Sequence, residues 1–325
     1  MMNNNFVPRW KLRLRRRRKK RLIRLLLFFL IFAVIIFILL QFKTVKNEPV
    51  EVKTPAVAGV RDEQTDRSSL KAVVENSLLE TKGNYGVVIK NLKTGESYLI
   101  NEHRVFDAAS LYKLWVMAAV YNQIQSGKLN PDQVLSEDIA VLNKDFFIEP
   151  DKAELTDGAV TLTVDSALTQ MITISHNYAA LLLTKQIRLA KVEAFLKENG
   201  FKESKVGTSG ALPKVTPFDI ALFLEKLYKS ELADQENSQK MIELLKNQKI
   251  SDGLPDYLPD KQSSEPVAVA HKTGDIEGFK HDAGIVFTGK GDYIVVIMSE
   301  STSPAGAGER IALLSKAVFD YFNKK

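Results

Sequence analysis

Hydrophobic residues change rhythm several times along this 325-residue chain, and each rhythm predicts an element. Residues 25–42 form one apolar run of eighteen uncharged positions. At about 1.5 Å per residue, a helix of that length comes close to a hydrocarbon core of roughly 30 Å, so it is expected to span a membrane. Over 68–81, Leu70, Val73, Val74 and Leu78 fall on one stripe, the spacing of an amphipathic helix opened by Ser68. The runs 85–90 and 97–100 are short and rich in β-branched or aromatic residues, and the turn-forming stretch 91–95 joins them as a hairpin. From 110 to about 247 the spacing is mostly helical. Within it 114–127 has no charge at all, which is too short to span a membrane but suits a helix buried on all sides. Strand patterns return at 266–271, 282–287 and 293–299, and an amphipathic helix over 308–322 closes the chain. Strands at both ends with helices between predict an α+β fold. Its antiparallel sheet is built from both chain ends and packed with helices, an all-helical lobe is inserted, and one transmembrane helix precedes it. The cleft between two such lobes is the expected ligand site.

Charge sharpens the topology. The net charge is +6, yet residues 1–46 hold 13 Lys and Arg and no acidic residue, so the remainder carries 32 basic against 39 acidic side chains. The basic block Arg15 to Arg21 therefore reads as a topogenic signal, which places residues 1–21 in the cytoplasm and the rest outside. A nucleic-acid arm is the alternative for that block, and the acidic remainder argues against it. The apolar run is longer than a cleaved signal needs, and the only nearby small-residue triplet, Ala56-Val57-Ala58, lies too far downstream. The organisation expected is a leader at 1–21, an uncleaved transmembrane helix at 22–42, a tether at 43–67 and a folded domain at 68–325. The localisation that follows is the cell membrane, single-pass, with the folded domain extracytoplasmic.

Candidate chemistry is narrowed first by what is missing. The chain has no Cys, which excludes a disulfide scaffold, a Cys-ligated zinc module and a thiol nucleophile. Its four His, at 103, 176, 271 and 281, make no H-E-x-x-H, and no G-x-S-x-G occurs. His271 and His281 fall on strands and are read as packed structural residues. Ser-x-x-Lys occurs twice, at Ser68–Lys71 and Ser110–Lys113, and Lys-Thr-Gly occurs twice, at 93–95 and 272–274. Position separates the copies. Ser68 comes straight off the tether, and Lys93-Thr94-Gly95 is good turn chemistry in the hairpin. Ser110, by contrast, follows a strand and opens the buried helix, where backbone N–H groups favour developing negative charge and Lys113 lies on the same face. Lys272-Thr273-Gly274 ends an apolar strand over 267–270, where a sheet edge presents it to a cleft. Ser175-His176-Asn177 lies at a junction of helical stretches between them.

In that order, Ser110-x-x-Lys113, Ser175-x-Asn177 and Lys272-Thr273-Gly274 resemble the three motifs of the penicillin-recognising serine enzymes, and within them the class A β-lactamase family. The resemblance covers nearly all of 68–325. It implies a serine hydrolase with Ser110 as acylated nucleophile, Lys113 as its base and Ser175 as proton relay. The implied substrate-binding set is Asn177, Lys272, Thr273, Gly274 and Asp275. In it Asn177 holds the substrate amide, Lys272 and Thr273 bind its carboxylate, and the N–H groups of Ser110 and Asp275 form the oxyanion hole. The implied partner is a β-lactam or a peptidoglycan stem peptide, with no cofactor, no metal and no nucleic acid, in a monomer. Two departures stand out. His176 occupies the place where the family usually has Asp. The stretch 204–217, where the family carries a Glu that activates the deacylating water, contains no Asp or Glu. Acylation with slow hydrolysis, as in a D-Ala-D-Ala peptidase or a slow penicillin-binding protein, is therefore the close alternative. A catalytically silent, wall-facing scaffold is the other. Glu198 and Glu203 are read as surface charges. Arg310 opens the last helix, where it is read as a solvated Arg ahead of an aid to carboxylate binding.

Overall fold

A computed structural model describes residues 69–260 and 262–324. The expected leader, transmembrane helix and tether, together with Ser68, lie outside the described residues. Among those residues no helix is long and apolar enough to cross a membrane.

The sheet joins the two ends of the folded part. Its strands are β1 (Asn84–Asn91), β2 (Ser97–Ile100), β7 (Ala268–Ile276), β8 (Phe279–Phe287) and β9 (Tyr293–Glu300), in the order β2-β1-β9-β8-β7. Every pairing is antiparallel, with Val88 opposite Val296 and Thr273 opposite Asp282. Alternation sorts the side chains. Val87, Ile89, Val295 and Ile297 face a cluster with Ile311, Leu314 and Val318, whereas Val88, Ile294, Val296 and Met298 face the core of the helical lobe. Because both faces are covered, β9 is a continuous apolar run, the pattern of a strand buried on both sides. Helices α1 (Leu70–Leu78) and α9 (Pro304–Lys324) cover the first face. The N-cap of α1 is Ser69, whose hydroxyl accepts from Ala72 N at 3.1 Å, one residue later than the sequence suggests. Arg310 reaches neither solvent alone nor the cleft: its Nη1 donates to Ser77 O at 3.0 Å and ties α9 to α1.

The inserted lobe is helical for the most part. It contains α2 (Lys113–Gln125), α3 (Ile139–Asp145), α4 (Val164–Thr173), α5 (Asn177–Ile187), α6 (Leu189–Glu198), α7 (Pro217–Tyr228) and α8 (Gln235–Lys246). Helix α2 is the central post, with every residue from Lys113 to Tyr121 buried, as the uncharged run that follows Lys113 demands. The lobe is not all-helical, however. Two short ladders, β3 (Phe106–Asp107) with β6 (Lys214–Val215) and β4 (Val134–Asp138) with β5 (Ala159–Thr163), stitch its edges. Leu135 is the one buried side chain of β4, so an apolar alternation too short to read had hidden the strand.

Candidate active site

Ser110 is placed by the chain on both sides of it. Ala108 N donates to Pro213 O at 2.8 Å, which ends the β3–β6 ladder. Ala109 then adopts a left-handed backbone, φ 44°, an uncommon conformation for a residue with a Cβ. This reversal starts a single 3₁₀ turn, Ala109–Tyr112, which runs directly into α2. In a 3₁₀ turn side chains three apart eclipse, so Ser110 and Lys113 share a face.

Lys113 is completely buried, and its ammonium has three acceptors. Its Nζ lies 2.6 Å from Ser175 O, 2.6 Å from Asn177 Oδ1 and 3.2 Å from Ser175 Oγ. Ser175 can face it with both oxygens because its own backbone is left-handed, φ 58°, at the break between α4 and α5. From the opposite side Lys272 Nζ reaches Ser175 Oγ at 3.0 Å and Thr273 O at 2.8 Å. One hydroxyl therefore sits between two buried amines. Burial, and then the nearby Lys272 charge, pull Lys113 down to about 7, while Glu154 opposes them. Burial pulls Lys272 down to about 8, with the Asp282 carboxylate holding it up. A lysine that titrates near neutrality can accept a proton there, which an ordinary one at about 10.4 does not.

His176 takes over a helix-capping task. It is the N-cap of α5, and its Nδ1 accepts from Ala179 N at 3.1 Å, as a carboxylate oxygen would at that position. The neighbouring Ser175 and Asn177 both accept from Lys113, so a His at the N-cap is compatible with the lysine contacts.

Lys272-Thr273-Gly274 does not end its strand. β7 continues to Ile276, so the motif lies inside the edge strand of the sheet. The sequence misleads here because Lys272 looks like a surface residue yet is buried. His271 Nδ1 is 2.9 Å from Asp282 Oδ1, and Asp282 Oδ2 accepts from Leu254 N at 2.8 Å. Gly274 is needed for a close approach: a Cβ there would stand 3.2 Å from both Ala108 O and Ala109 Cβ. The strand thus lies directly against the turn that carries Ser110. His281 braces the same contact. Its Nε2–H donates to Asp107 O at 2.8 Å while Nδ1 accepts from Ser299 N at 3.2 Å, and burial lowers it to about 4, so the ring is neutral. The two strand histidines are structural, as read from the sequence.

These elements enclose a cavity of about 290 Å³ lined by Ser110, Ser175, Asn177, Thr273 and Asp275, together with Ile250, Asp252 and Lys280. Five of the eight residues inferred from the sequence line it, and Lys113 and Lys272 lie beneath Ser175. Gly274 acts through the backbone approach just described. Asp252 and Lys280 escaped the sequence reading. Lys280 Nζ bridges Asp252 and Asp275 at 2.9 Å each; burial alone would lower it, but the two carboxylates raise it. Only the β7–β8 register, which sets Asp275 opposite Lys280, could have revealed that cation. Among the described residues no cluster of His, Cys, Asp or Glu could hold a metal ion. A larger depression of about 1250 Å³ lies between the 255–265 loop and α9, where Lys316 is occupied by Asp320 at 2.6 Å. The chemistry, rather than the volume, marks the smaller cavity.

Solved structures with this fold span almost their whole length on the chain. A β-lactamase from Sphaerobacter thermophilus is 25% identical, with a TM-score of 0.69 over 80% of this chain and 99% of that one. PBP-A is 20% identical, with a TM-score of 0.67 over 80% and 97%. The TLA-1 extended-spectrum β-lactamase is 22% identical, with a TM-score of 0.66 over 79% and 98%. No curated protein sequence matches. A family model described as the β-lactamase enzyme family matches residues 67–322, which is most of the chain, and the chain therefore belongs to that family.

Proposed function

We propose that this protein is a membrane-anchored serine hydrolase that forms an acyl ester on Ser110 and hydrolyses β-lactam amides outside the cytoplasmic membrane. The observation that carries the reading is the Ser175 hydroxyl held between two buried lysines, one of them, Lys113, on the turn of Ser110 and lowered to about 7. In this mechanism neutral Lys113 takes the Ser110 proton as Oγ adds to the amide carbonyl. N–H groups of Ser110 and Asp275 hold the oxyanion, and one such donor is commonly worth ~10²–10³ in rate. The proton then reaches the leaving nitrogen through Ser175. Lys272 and Thr273 bind the substrate carboxylate, and Asn177 holds its amide. The basic leader and the transmembrane helix expected at 22–42 supply the anchor and the extracytoplasmic location.

A second reading, a D-Ala-D-Ala-type peptidase or slow penicillin-binding protein acting on peptidoglycan stem peptides, is favoured by the carboxylate-free stretch 204–217. One neighbour of this fold, a PBP-A variant, was solved as an acyl-enzyme with penicillin G. Both readings share Ser110 acylation and differ in the lifetime of the ester. The test uses the full chain in detergent with a chromogenic β-lactam, following turnover and intact mass together, with Ser110→Ala as control. Steady turnover lost in the variant is the expected result. A lasting adduct on Ser110 without turnover selects the peptidase reading, and a folded sample that gives neither signal sinks both.

A further inference from the structure

The stretch 204–217 cannot bring a carboxylate to the cavity, and its fold explains what happens nearby. It closes on itself through Lys205 and Lys214, whose N–H and C=O groups exchange two hydrogen bonds of 2.9 Å. Glu203, just upstream, accepts from Thr216 Oγ1 at 2.9 Å and contacts His103 Nδ1 at 2.9 Å, and Glu198 is exposed on α6. A carboxylate does arrive at the site from a different segment. Glu154, in the connection 146–158 between α3 and β5, accepts a hydrogen bond from Asn177 Nδ2. Asn177 Oδ1 is engaged by Lys113, so the amide orientation is fixed and Nδ2 must face away from the lysine, toward Glu154.

The contact is built rather than incidental. The next residue of the connection, Leu155, is gripped by the next residue of α5, Tyr178. Leu155 N donates to Tyr178 Oη at 3.1 Å, and that oxygen is also 2.7 Å from Leu155 O and 2.9 Å from Asn143 Oδ1. Asn143 Nδ2 in turn donates to Leu155 O at 2.8 Å. Tyr178 and Asn143 are buried, so the first turn of α5 clamps the connection at two consecutive residues and delivers Glu154 to a side chain that lines the Ser110 cavity. Asn177 Nδ2 carries two hydrogens; one holds Glu154 and the other remains for a substrate carbonyl. Glu154 is solvent-exposed, so water reaches it directly.

Resting on the Ser110 acyl-transfer reading, we propose that Glu154 is the base of the deacylation step, approaching the cavity from the connection 146–158 by way of Asn177. Its carboxylate takes a proton from a water molecule as the water oxygen bonds to the ester carbonyl carbon of acyl-Ser110. The tetrahedral adduct collapses by breaking the bond between that carbon and Ser110 Oγ. The proton passes to Oγ, restoring the serine, and the product leaves as a carboxylic acid.

The full chain in detergent, mixed with benzylpenicillin and followed by rapid-quench intact mass, tests this with Glu154→Gln and Glu154→Ala. Gln keeps an acceptor for Asn177 Nδ2 but cannot take the proton, so a purely structural role leaves Glu154→Gln indistinguishable from the parent. The expected result is adduct formation in Glu154→Gln as fast as in the parent, which also reports that the variant is folded, with adduct loss ~10²–10⁴-fold slower. Adduct loss within a factor of about two of the parent in Glu154→Gln overturns the assignment, as does a parent adduct as long-lived as the variant's. A parent that forms no adduct at Ser110 removes the acyl-transfer reading itself, and with it this step.

Discussion

Lys-Thr-Gly occurs twice on the same sheet, and the two copies share nothing but their letters. At Lys93-Thr94-Gly95 the tripeptide turns the chain from β1 to β2. Asn91 Oδ1 accepts from Lys93 N and Thr94 N at 2.9 Å each, and Gly95, at φ 76°, donates to Asn91 O. Here glycine serves a left-handed turn, and Lys93 stands in solvent. At Lys272-Thr273-Gly274 the same letters are extended strand. Glycine serves the close approach of the Ala108–Ala109 backbone, and the lysine is buried beside a serine. The tripeptide thus acquires chemistry from burial and from neighbours remote in sequence.

The sharpest way to break this contrast is to truncate both lysines. Lys272→Ala is expected to lower kcat/KM on a chromogenic β-lactam by about 10²–10³, the scale for removing one charged anchor of the transition state. Lys93→Ala should leave it unchanged, and equal losses in the two variants would erase the distinction. A pH profile of kcat/KM comes next. The proposed mechanism needs Lys113 neutral and Lys272 charged, so the rate should rise about tenfold per pH unit below about 7 and fall again beyond about 8. A profile flat from pH 5 to 9 would remove the lysine base. The glycines separate more gently. Gly274→Ala pushes a Cβ to 3.2 Å from Ala108 O and should cost about 1–3 kcal/mol of stability together with activity. Gly95→Ala has open space around it and meets only the left-handed backbone; it should cost about 1 kcal/mol in thermal melts with activity intact. The smallest effect belongs to His176→Asp, which exchanges one N-cap acceptor for another and should shift stability by no more than about 0.5 kcal/mol in the same melts.

Much of the architecture was legible because its apolar patterns are strong. The β1–β2 hairpin, the charge-free helix α2 and the three C-terminal strands were visible as periods, and the closing helix runs only a few residues beyond its pattern at each end. The reading faltered where a polar residue is buried. β7 seemed to stop at His271, because hydropathy treats Lys272 as surface, while the Ser175 hydroxyl that makes its burial tolerable comes from another element. The short ladders β3–β6 and β4–β5 were missed for the opposite reason, since two to five residues leave too little alternation to detect.

The sequence by itself determined which copies of the motifs to choose, the order of the three motifs and most of the strands and helices that carry them, because these depend on local spacing and on residue type. Only the tertiary structure decided which atoms of the chosen motifs touch. It also brought Lys113 to a serine 62 residues away, and Lys272 to the same serine across 97. It alone could lower the two lysines, since desolvation and the field of a second charge exist only once distant segments have closed around them. Glu154 belongs wholly to that second category. No spacing marks it, and the clamp of Asn177 and Tyr178 on an otherwise ordinary connection is what brings it to Asn177, a residue that lines the cavity.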